Sequence, residues 1–297
     1  MSSLSVIIAT IRPSFLILTP VCLFLGWSFV WAENRFVHDY LLVLTFTGAM
    51  MAHISVNMLN EYLDYTSGLD LNTTRTAFSG GSGALPNHPK MAASVLTIGI
   101  TALFVTLLIG VFFVWLYGWQ LLPIGVSGLL IIVAYTRWIN RYPWLCLVAP
   151  GLGFGLLMTV GAYFAITGVF NQDLWLISLV PFFLVNNLLL LNQYPDIEAD
   201  KMAGRNHFPI AYGVSSSNLV YFLFLVLTML VIIISVVMDI LPNLSLMALI
   251  ATPIGFYALS GALKFKQNIG QHPQFLVANV IVTVAVPVLL GASIIIG

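Results

Sequence analysis

Long apolar stretches separated by short polar breaks run the whole length of the chain. A helix that crosses a bilayer needs roughly 20 mostly apolar residues. Residues 14–32, 41–63, 91–116, 119–137, 144–168, 173–196, 215–238, 243–264 and 275–296 each fit that requirement. The pattern predicts an all-α integral membrane protein, a bundle of nine transmembrane helices. Trp115, Tyr117 and Trp119 blur the break between the third and fourth. No soluble domain or low-complexity tract intervenes, so residues 1–297 read as a single membrane-embedded domain.

Composition agrees with the pattern. The chain is 60% hydrophobic and 7% charged, with a mean hydropathy of +1.03, whereas soluble domains carry about 25% charged residues. The first apolar stretch has no A-x-A-like exit and only Arg12 ahead of it, so it reads as a retained span rather than a cleaved leader. Cys22 and Cys146 both fall inside expected spans, which implies no disulfide framework.

Net charge is zero and says nothing about partners, and no nucleic acid is expected among them; the distribution of charge says more. With the N-terminus placed in the cytoplasm, nine cations fall on the inner side: Arg12, Arg75, Lys90, Arg137, Arg141, Lys201, Arg205, Lys264 and Lys266. Arg35 alone falls outside. This bias predicts an inner (cytoplasmic) membrane protein whose N-terminus and active site face the cytoplasm. Four acids, Glu33, Asp39, Asp173 and Asp239, lie in short outer loops. The other six, Glu61, Asp64, Asp70, Asp196, Glu198 and Asp200, gather where the second and sixth spans reach the inner face. One acid at a helix end reads as a solvated cap. Two clusters at matching depth read as function, because ionisable groups near hydrocarbon are costly.

If the second helix continues to Asp64, then Asn57, Asn60, Glu61 and Asp64 recur at intervals of three and four and share a face. Gly68 offers an exit from the helix, after which Asp70 can fold back. In the second cluster Asn192, Asp196 and Asp200 recur at fours, Glu198 points elsewhere, and Pro195 kinks the helix end. Carboxylate and amide oxygens without His or Cys suit a hard cation such as Mg²⁺, held by a few carboxylates and by substrate phosphates. Arg75, Lys201 and Arg205 suit a phosphate-bearing ligand. Ser79-Gly80-Gly81-Ser82-Gly83 follows the first cluster as a flexible stretch suited to a cap. Together these features describe a site for a lipid diphosphate.

At these residues the chain closely resembles the UbiA superfamily of intramembrane prenyltransferases. Asn60-Glu61-Tyr62-Leu63-Asp64, with Gly68 and Asp70, looks like that family's N-D-x-x-D…D motif, with Glu61 where Asp is usual. Asp196 and Asp200 followed by Gly204-Arg205 look like its D-x-x-x-D…G-K motif. The resemblance spans roughly residues 12–213, and the later helices match in hydropathy. Five residues separate Asp64 from Asp70, as in the branch that uses 1,4-dihydroxy-2-naphthoate in the menaquinone pathway; the 4-hydroxybenzoate branch usually has three. Tyr135-Thr136 and Gly151-Leu152-Gly153 also resemble the naphthoate branch. Pro195 and the run Thr74-Arg75-Thr76-Ala77-Phe78-Ser79-Gly80-Gly81 depart from it.

The resemblance implies Mg²⁺-dependent transfer of a polyprenyl group from a polyprenyl diphosphate to an aromatic acceptor within the membrane lipid. On that reading Asn60, Glu61, Asp64, Asp70, Asp196 and Asp200 are expected to hold Mg²⁺, with Asp64, Asp196 and Asp200 central to catalysis. Arg75, Lys201 and Arg205 are expected at the diphosphate, and Asn57, Tyr135, Arg137 and Asn192 are candidates for binding the acceptor. Tyr135, Arg137 and Arg141 equally suit interfacial anchoring. His53 and His207 are each read first as structural and second as touching substrate. The competing classes are an ion-coupled transporter, whose acids would sit near the bilayer midplane, and a phosphatidyltransferase, which usually has fewer spans and one compact acidic cluster.

Overall fold

The computed structural model describes residues 2–73, 75, 76 and 78–297; Met1 and two members of the loop run above, Thr74 and Ala77, lie outside them. A short helix α1 (Ser3–Ile11) precedes the bundle. Among the described residues eight helices are long and apolar enough to cross a membrane. They are α2 (Pro13–Ala32), α3 (Asp39–Thr66), α4 (Pro89–Tyr117), α6 (Pro143–Thr167), α7 (Gln172–Asn192), α9 (Phe208–Val237), α10 (Asn243–Gln271) and α11 (Pro273–Ile296). Each coincides with an expected span.

The remaining expected span, 119–137, is the shorter helix α5 (Trp119–Ala134). At 1.5 Å per residue, its 16 residues reach about 24 Å, short of a hydrocarbon core about 30 Å thick. It ends early because the Asn140 amide bonds back to the Tyr135 carbonyl at 3.1 Å, turning the chain out of the helix. None of residues 122–134 is buried.

Helix breaks fall where the residue chemistry requires them. Gly68 takes φ +80° at the end of α3 and leads into a one-turn helix, Leu69–Asn72, that returns Asp70 to the interior. The sixth span stops at Asn192; Tyr194 and Pro195 lie in a turn, and a six-residue helix α8 (Ile197–Met202) follows. Gly213, at φ +79°, breaks α9 near its start, so its continuous part begins where the expected span 215–238 does. Pro150 lies inside α6 just before a π-helical stretch, Gly151–Met158.

In α3 and α4 the helices run along one another, α2 lies on α11, and α7 packs against α6, α9 and α11. The approach of α6 to α7 is very close. A Cβ on Gly151 would stand 2.3 Å from the Phe182 carbonyl oxygen, and one on Gly155 2.3 Å from the Phe182 amide nitrogen. Asn186 on α7 accepts the Gly151 N–H at 2.6 Å, meeting a backbone donor near the irregular turn.

Hydrocarbon surroundings give no hydrophobic force between helices, so buried polar contacts hold part of the bundle. Tyr221 Oη donates to Asn279 Oδ1 at 2.9 Å, Asn279 Nδ2 to the Asn187 carbonyl at 3.2 Å, and Asn187 Nδ2 to the Tyr221 carbonyl at 2.9 Å. This ring joins α7, α9 and α11. At the other end from the acidic clusters, Glu33 accepts from Tyr163 Oη at 2.8 Å and from Asn171 Nδ2 at 3.0 Å, fastening the end of α2 to α6 and to the turn that follows it.

Candidate active site

Helices α2 to α7 enclose a cavity of about 400 Å³. Along α3 its wall includes Thr45, Gly48, Ala52, Val56, Asn60 and Asp64. The 19 residue steps from Thr45 to Asp64 correspond to about 28 Å of helix, so the cavity runs nearly the full depth of a bilayer core. Its two ends differ sharply. One carries Asp64, Asp70, Asp196, Asp200, Arg12 and Arg205; the other carries Phe113, Leu121, Ile124 and Ala165.

At the acidic end, Asn60 and Asp64 project from the last turns of α3 as the spacing requires. Asn60 Nδ2 donates to Asp64 Oδ2 at 3.1 Å, and Thr136 Oγ1 donates to Asn60 Oδ1 at 2.7 Å, which fixes the amide's orientation. Asp196 receives the Gly80 N–H at 2.9 Å. Gly81 takes φ +70° and lies against Asp70: an added Cβ would come within 2.7 Å of Asp70 Oδ1. The glycine-rich stretch therefore closes on both clusters by its backbone.

Glu61 is the largest difference from the sequence expectation. It is fully buried and turned away from the cavity. Arg12 Nε donates to its Oε1 at 2.7 Å, and Ser82 donates to it twice, from N–H to Oε1 at 2.8 Å and from Oγ to Oε2 at 2.6 Å. Both carboxylate oxygens are committed to tethering the N-terminal segment and the glycine loop. A helix face spanning Asn57 to Asp64 is wide enough to present two directions, and Glu61 takes the second.

Arg205 spans the two clusters. Its Nη2 donates to Asp64 Oδ1, its Nη1 donates to Asp200 Oδ1 at 3.0 Å, and His207 Nε2 meets Asp200 Oδ2 at 3.0 Å. Burial works against the charge of Arg205, but Asp64 and Asp200 outweigh it and hold the guanidinium pKa above its ordinary value. Burial, reinforced by the charges of Asp64 and Glu61, pushes the Asp70 carboxyl up to about 7. Burial and the neighbouring Asp200 push Asp196 up to about 7 as well.

Of the residues singled out from sequence, Asn57, Asn60, Asp64, Asp70, Tyr135, Asn192, Asp196, Asp200 and Arg205 all line this one cavity. Glu61, Arg75, Arg137 and Lys201 do not. Arg75, Arg137 and Lys201 are exposed, as are Arg141 and Glu198. Arg75 reaches the Asp70 carbonyl at 3.3 Å and otherwise lies along Gly83. His53 lines the cavity deeper in, bonded through Nδ1 to Thr19 Oγ1 at 2.8 Å and edge-on to Phe154. Sequence reasoning gave no site role to Arg12, Thr136, Asn140 or Ser82. Arg12 carried one usable signal, the Pro13 that follows it and ends α1, placing it at a helix junction rather than on a helix face.

The donor set fits a hard divalent cation. Asp70 Oδ2 and Asp196 Oδ1 are buried oxygens with no hydrogen-bond partner among the described residues, and both residues line the acidic end of the cavity. Among the described residues no three Asp, Glu, His or Cys side chains already form a metal-binding cluster. Arg205 stands between Asp64 and Asp200 instead.

A family model described as "UbiA prenyltransferase family" matches residues 19–292. The chain is 29% identical over 186 residues to a 1,4-dihydroxy-2-naphthoate octaprenyltransferase of Bacillus subtilis (strain 168), covering 59% of this chain and 56% of that protein. It thus spans little more than half the length of that relative. The protein of the same name from Haemophilus influenzae is 24% identical over 209 residues, 69% of this chain and 68% of the relative. Among solved structures, a digeranylgeranylglyceryl phosphate synthase superposes with a TM-score of 0.70 over 100% of both chains at 17% identity. A UbiA homolog from Archaeoglobus fulgidus bound to DMAPP and Mg²⁺ gives 0.63 over 97% of this chain and 98% of that one at 14% identity. The structural likenesses establish the fold.

Proposed function

From the premise that this chain belongs to the UbiA prenyltransferase family, we propose that it transfers a polyprenyl group from a polyprenyl diphosphate to 1,4-dihydroxy-2-naphthoate or a closely related quinone precursor. One observation carries the reading: acidic clusters 132 residues apart in sequence, at Asp64 and Asp196, face one cavity whose far end is apolar and as deep as a bilayer core. That shape suits a substrate with a polyanionic head and a long hydrocarbon tail.

Asn60, Asp64, Asp70, Asp196 and Asp200 would hold Mg²⁺, which supplies neutralisation of the diphosphate and of the charge growing on it as a leaving group. The chain's own residues do the rest. Arg205 and Arg12 offer guanidinium groups at the cavity mouth for phosphate oxygens. Gly80 and Gly81 bring backbone against Asp196 and Asp70, closing the head-group end against water. The allylic carbon–oxygen bond breaks, diphosphate departs with the electron pair, an electron-rich ring carbon bonds to the allylic carbon, and the ring loses a proton. The naming of the Bacillus and Haemophilus relatives supports a naphthoate acceptor, as does the Asp64–Asp70 spacing. The mainly apolar middle of the cavity disfavours a transporter, whose ion ligands belong near the midplane.

The test is purified protein in lipid nanodiscs given labelled polyprenyl diphosphate, Mg²⁺ and a panel including 1,4-dihydroxy-2-naphthoate and 4-hydroxybenzoate. Release of diphosphate together with a prenylated naphthoate is expected. Prenylation of 4-hydroxybenzoate alone would move the protein to another branch, and no transfer to any aromatic would overturn the reading.

A further inference from the structure

The turn after α5 carries Thr136, which is buried and does not itself line the cavity. Threonines in the helices of this bundle spend the hydroxyl on their own backbone one turn back. Thr45 donates to the Leu41 carbonyl at 2.7 Å, Thr228 to that of Phe224 at 2.9 Å and Thr283 to that of Asn279 at 2.7 Å. Thr136 sends its hydroxyl across to α3 instead, donating to Asn60 Oδ1 at 2.7 Å.

Thr136 is held in that place from behind. Asn140 Nδ2 donates to the Thr136 carbonyl, and the Asn140 carbonyl accepts the Asn206 N–H at 2.9 Å, one residue beyond Arg205. The turn therefore bears on both acidic clusters. Through Thr136 it grips the end of α3, and through Asn206 it grips the segment that carries Arg205 to Asp64 and Asp200.

Asn60 lines the cavity, and the two ends of its amide differ, one donating and the other accepting. Nδ2 donates to Asp64 Oδ2 at 3.1 Å, while Oδ1 takes the Thr136 proton and keeps a second lone pair. Turned over, the amide would set its oxygen against Asp64 Oδ2, two acceptors face to face. Both oxygens of Asp64 are engaged, Oδ1 by Arg205 and Oδ2 by Asn60. A cation that draws on Asp64 competes with one of those bonds. The Thr136 bond grips the opposite end of the amide and survives either exchange, so it keeps the Asn60 oxygen in place while Asp64 changes partner.

We infer that Thr136 is a positioning residue for Mg²⁺, touching neither metal nor substrate and fixing the Asn60 side-chain oxygen as a ligand. This rests on the reading of Asn60 and Asp64 as holding Mg²⁺ for prenyl transfer.

Thr136→Val keeps the branched shape and removes only the hydroxyl, whereas Thr136→Ser keeps the hydroxyl. Each protein, in zwitterionic nanodiscs without prenyl donor, is titrated with Mn²⁺ alone, and free Mn²⁺ is read from its electron paramagnetic resonance signal. The valine variant should bind Mn²⁺ about tenfold more weakly or worse, the usual effect of losing the partner that orients a metal ligand. The serine variant should bind as the parent does. Thr136→Ala gives the same reading if valine crowds the turn. In turnover, the Mg²⁺ concentration for half-maximal transfer should rise by the same factor in Thr136→Val, with kcat and donor KM recovering at saturating Mg²⁺. Weaker Mn²⁺ binding restored by serine supports the inference even if no aromatic is prenylated, an outcome that would sink only the proposed activity. Equal Mn²⁺ affinity in Thr136→Val and the parent overturns the inference. So does a parent that takes up no Mn²⁺, or a loss of kcat that saturating Mg²⁺ leaves in place.

Discussion

Arg205 is ion-paired with Asp64 across 141 positions of sequence, and its second guanidinium nitrogen reaches Asp200 at 3.0 Å. One side chain thereby ties the two acidic clusters together. Without a cation between them, Asp64 and Asp200 would repel each other in a buried setting. In the metal-free protein the guanidinium supplies that positive charge.

Replacing Arg205 with Gln should therefore lower the stability of the metal-free protein by about 3 kcal/mol, the usual loss when one partner of a buried ion pair is removed. Added Mg²⁺ should raise the melting temperature of the variant more than that of the parent. Thermal scans with and without Mg²⁺ measure both; equal Mg²⁺ shifts would show that Arg205 and the cation do not share a place.

Glu61 and Asp64 lie one helical turn apart and should fail in different ways. Glu61→Gln weakens the bonds to Arg12 and Ser82, so melting temperature and protection of the 79–83 backbone from hydrogen exchange should fall together. The Mg²⁺ concentration for half-maximal transfer should change little. Asp64→Asn should abolish transfer, with Asp196→Asn doing the same. If Glu61→Gln raised the Mg²⁺ requirement as Asp64→Asn does, the tether assignment would be wrong.

The carboxyls of Asp70 and Asp196 hold their protons up to about 7, so ionising them in the folded protein is unfavourable. An unfolded chain ionises these groups near their ordinary value of 3.8. Stability of the metal-free protein is therefore lost as pH rises from about 4 toward 7, because the unfolded state releases protons that the folded state retains. Mg²⁺ binding needs the ionised forms, so affinity should climb with pH through the same range and level off above it, with protons released on binding. Titration calorimetry in buffers of different ionisation enthalpy reads the proton release directly.

Gly128 lines the cavity, and a Cβ added there would meet nothing within 4 Å. Gly128→Leu should fill that space and block long tails without touching the acidic end. Short prenyl donors should keep their turnover while long ones lose about tenfold or more in kcat/KM, roughly the discrimination a steric pocket provides. Competition between donors of different length in one reaction is the direct measurement.

Much of this protein is determined by sequence alone. Hydropathy places the eight long helices, since in a bilayer each backbone polar group must be satisfied within its own segment and only long apolar runs meet that demand. The acidic residues stand out for the same reason, as charge near hydrocarbon is rare. Glycine and proline marked the breaks at Gly68 and Pro195. Direction and pairing were not legible. Helical periodicity says that Asn60, Glu61 and Asp64 are neighbours, but whether a side chain meets the cavity or Arg12 depends on which helices pack on either side. Arg75 and Lys201 were as plausible as Arg205 by proximity in sequence, yet only Arg205 follows a turn that brings it back beneath Asp64 and Asp200. Asn140 and His207 gave no stronger signal than any polar loop residue. Their unpaired atoms become visible only once tertiary packing removes water, because an unsatisfied hydrogen bond exists only in a structure that has buried it.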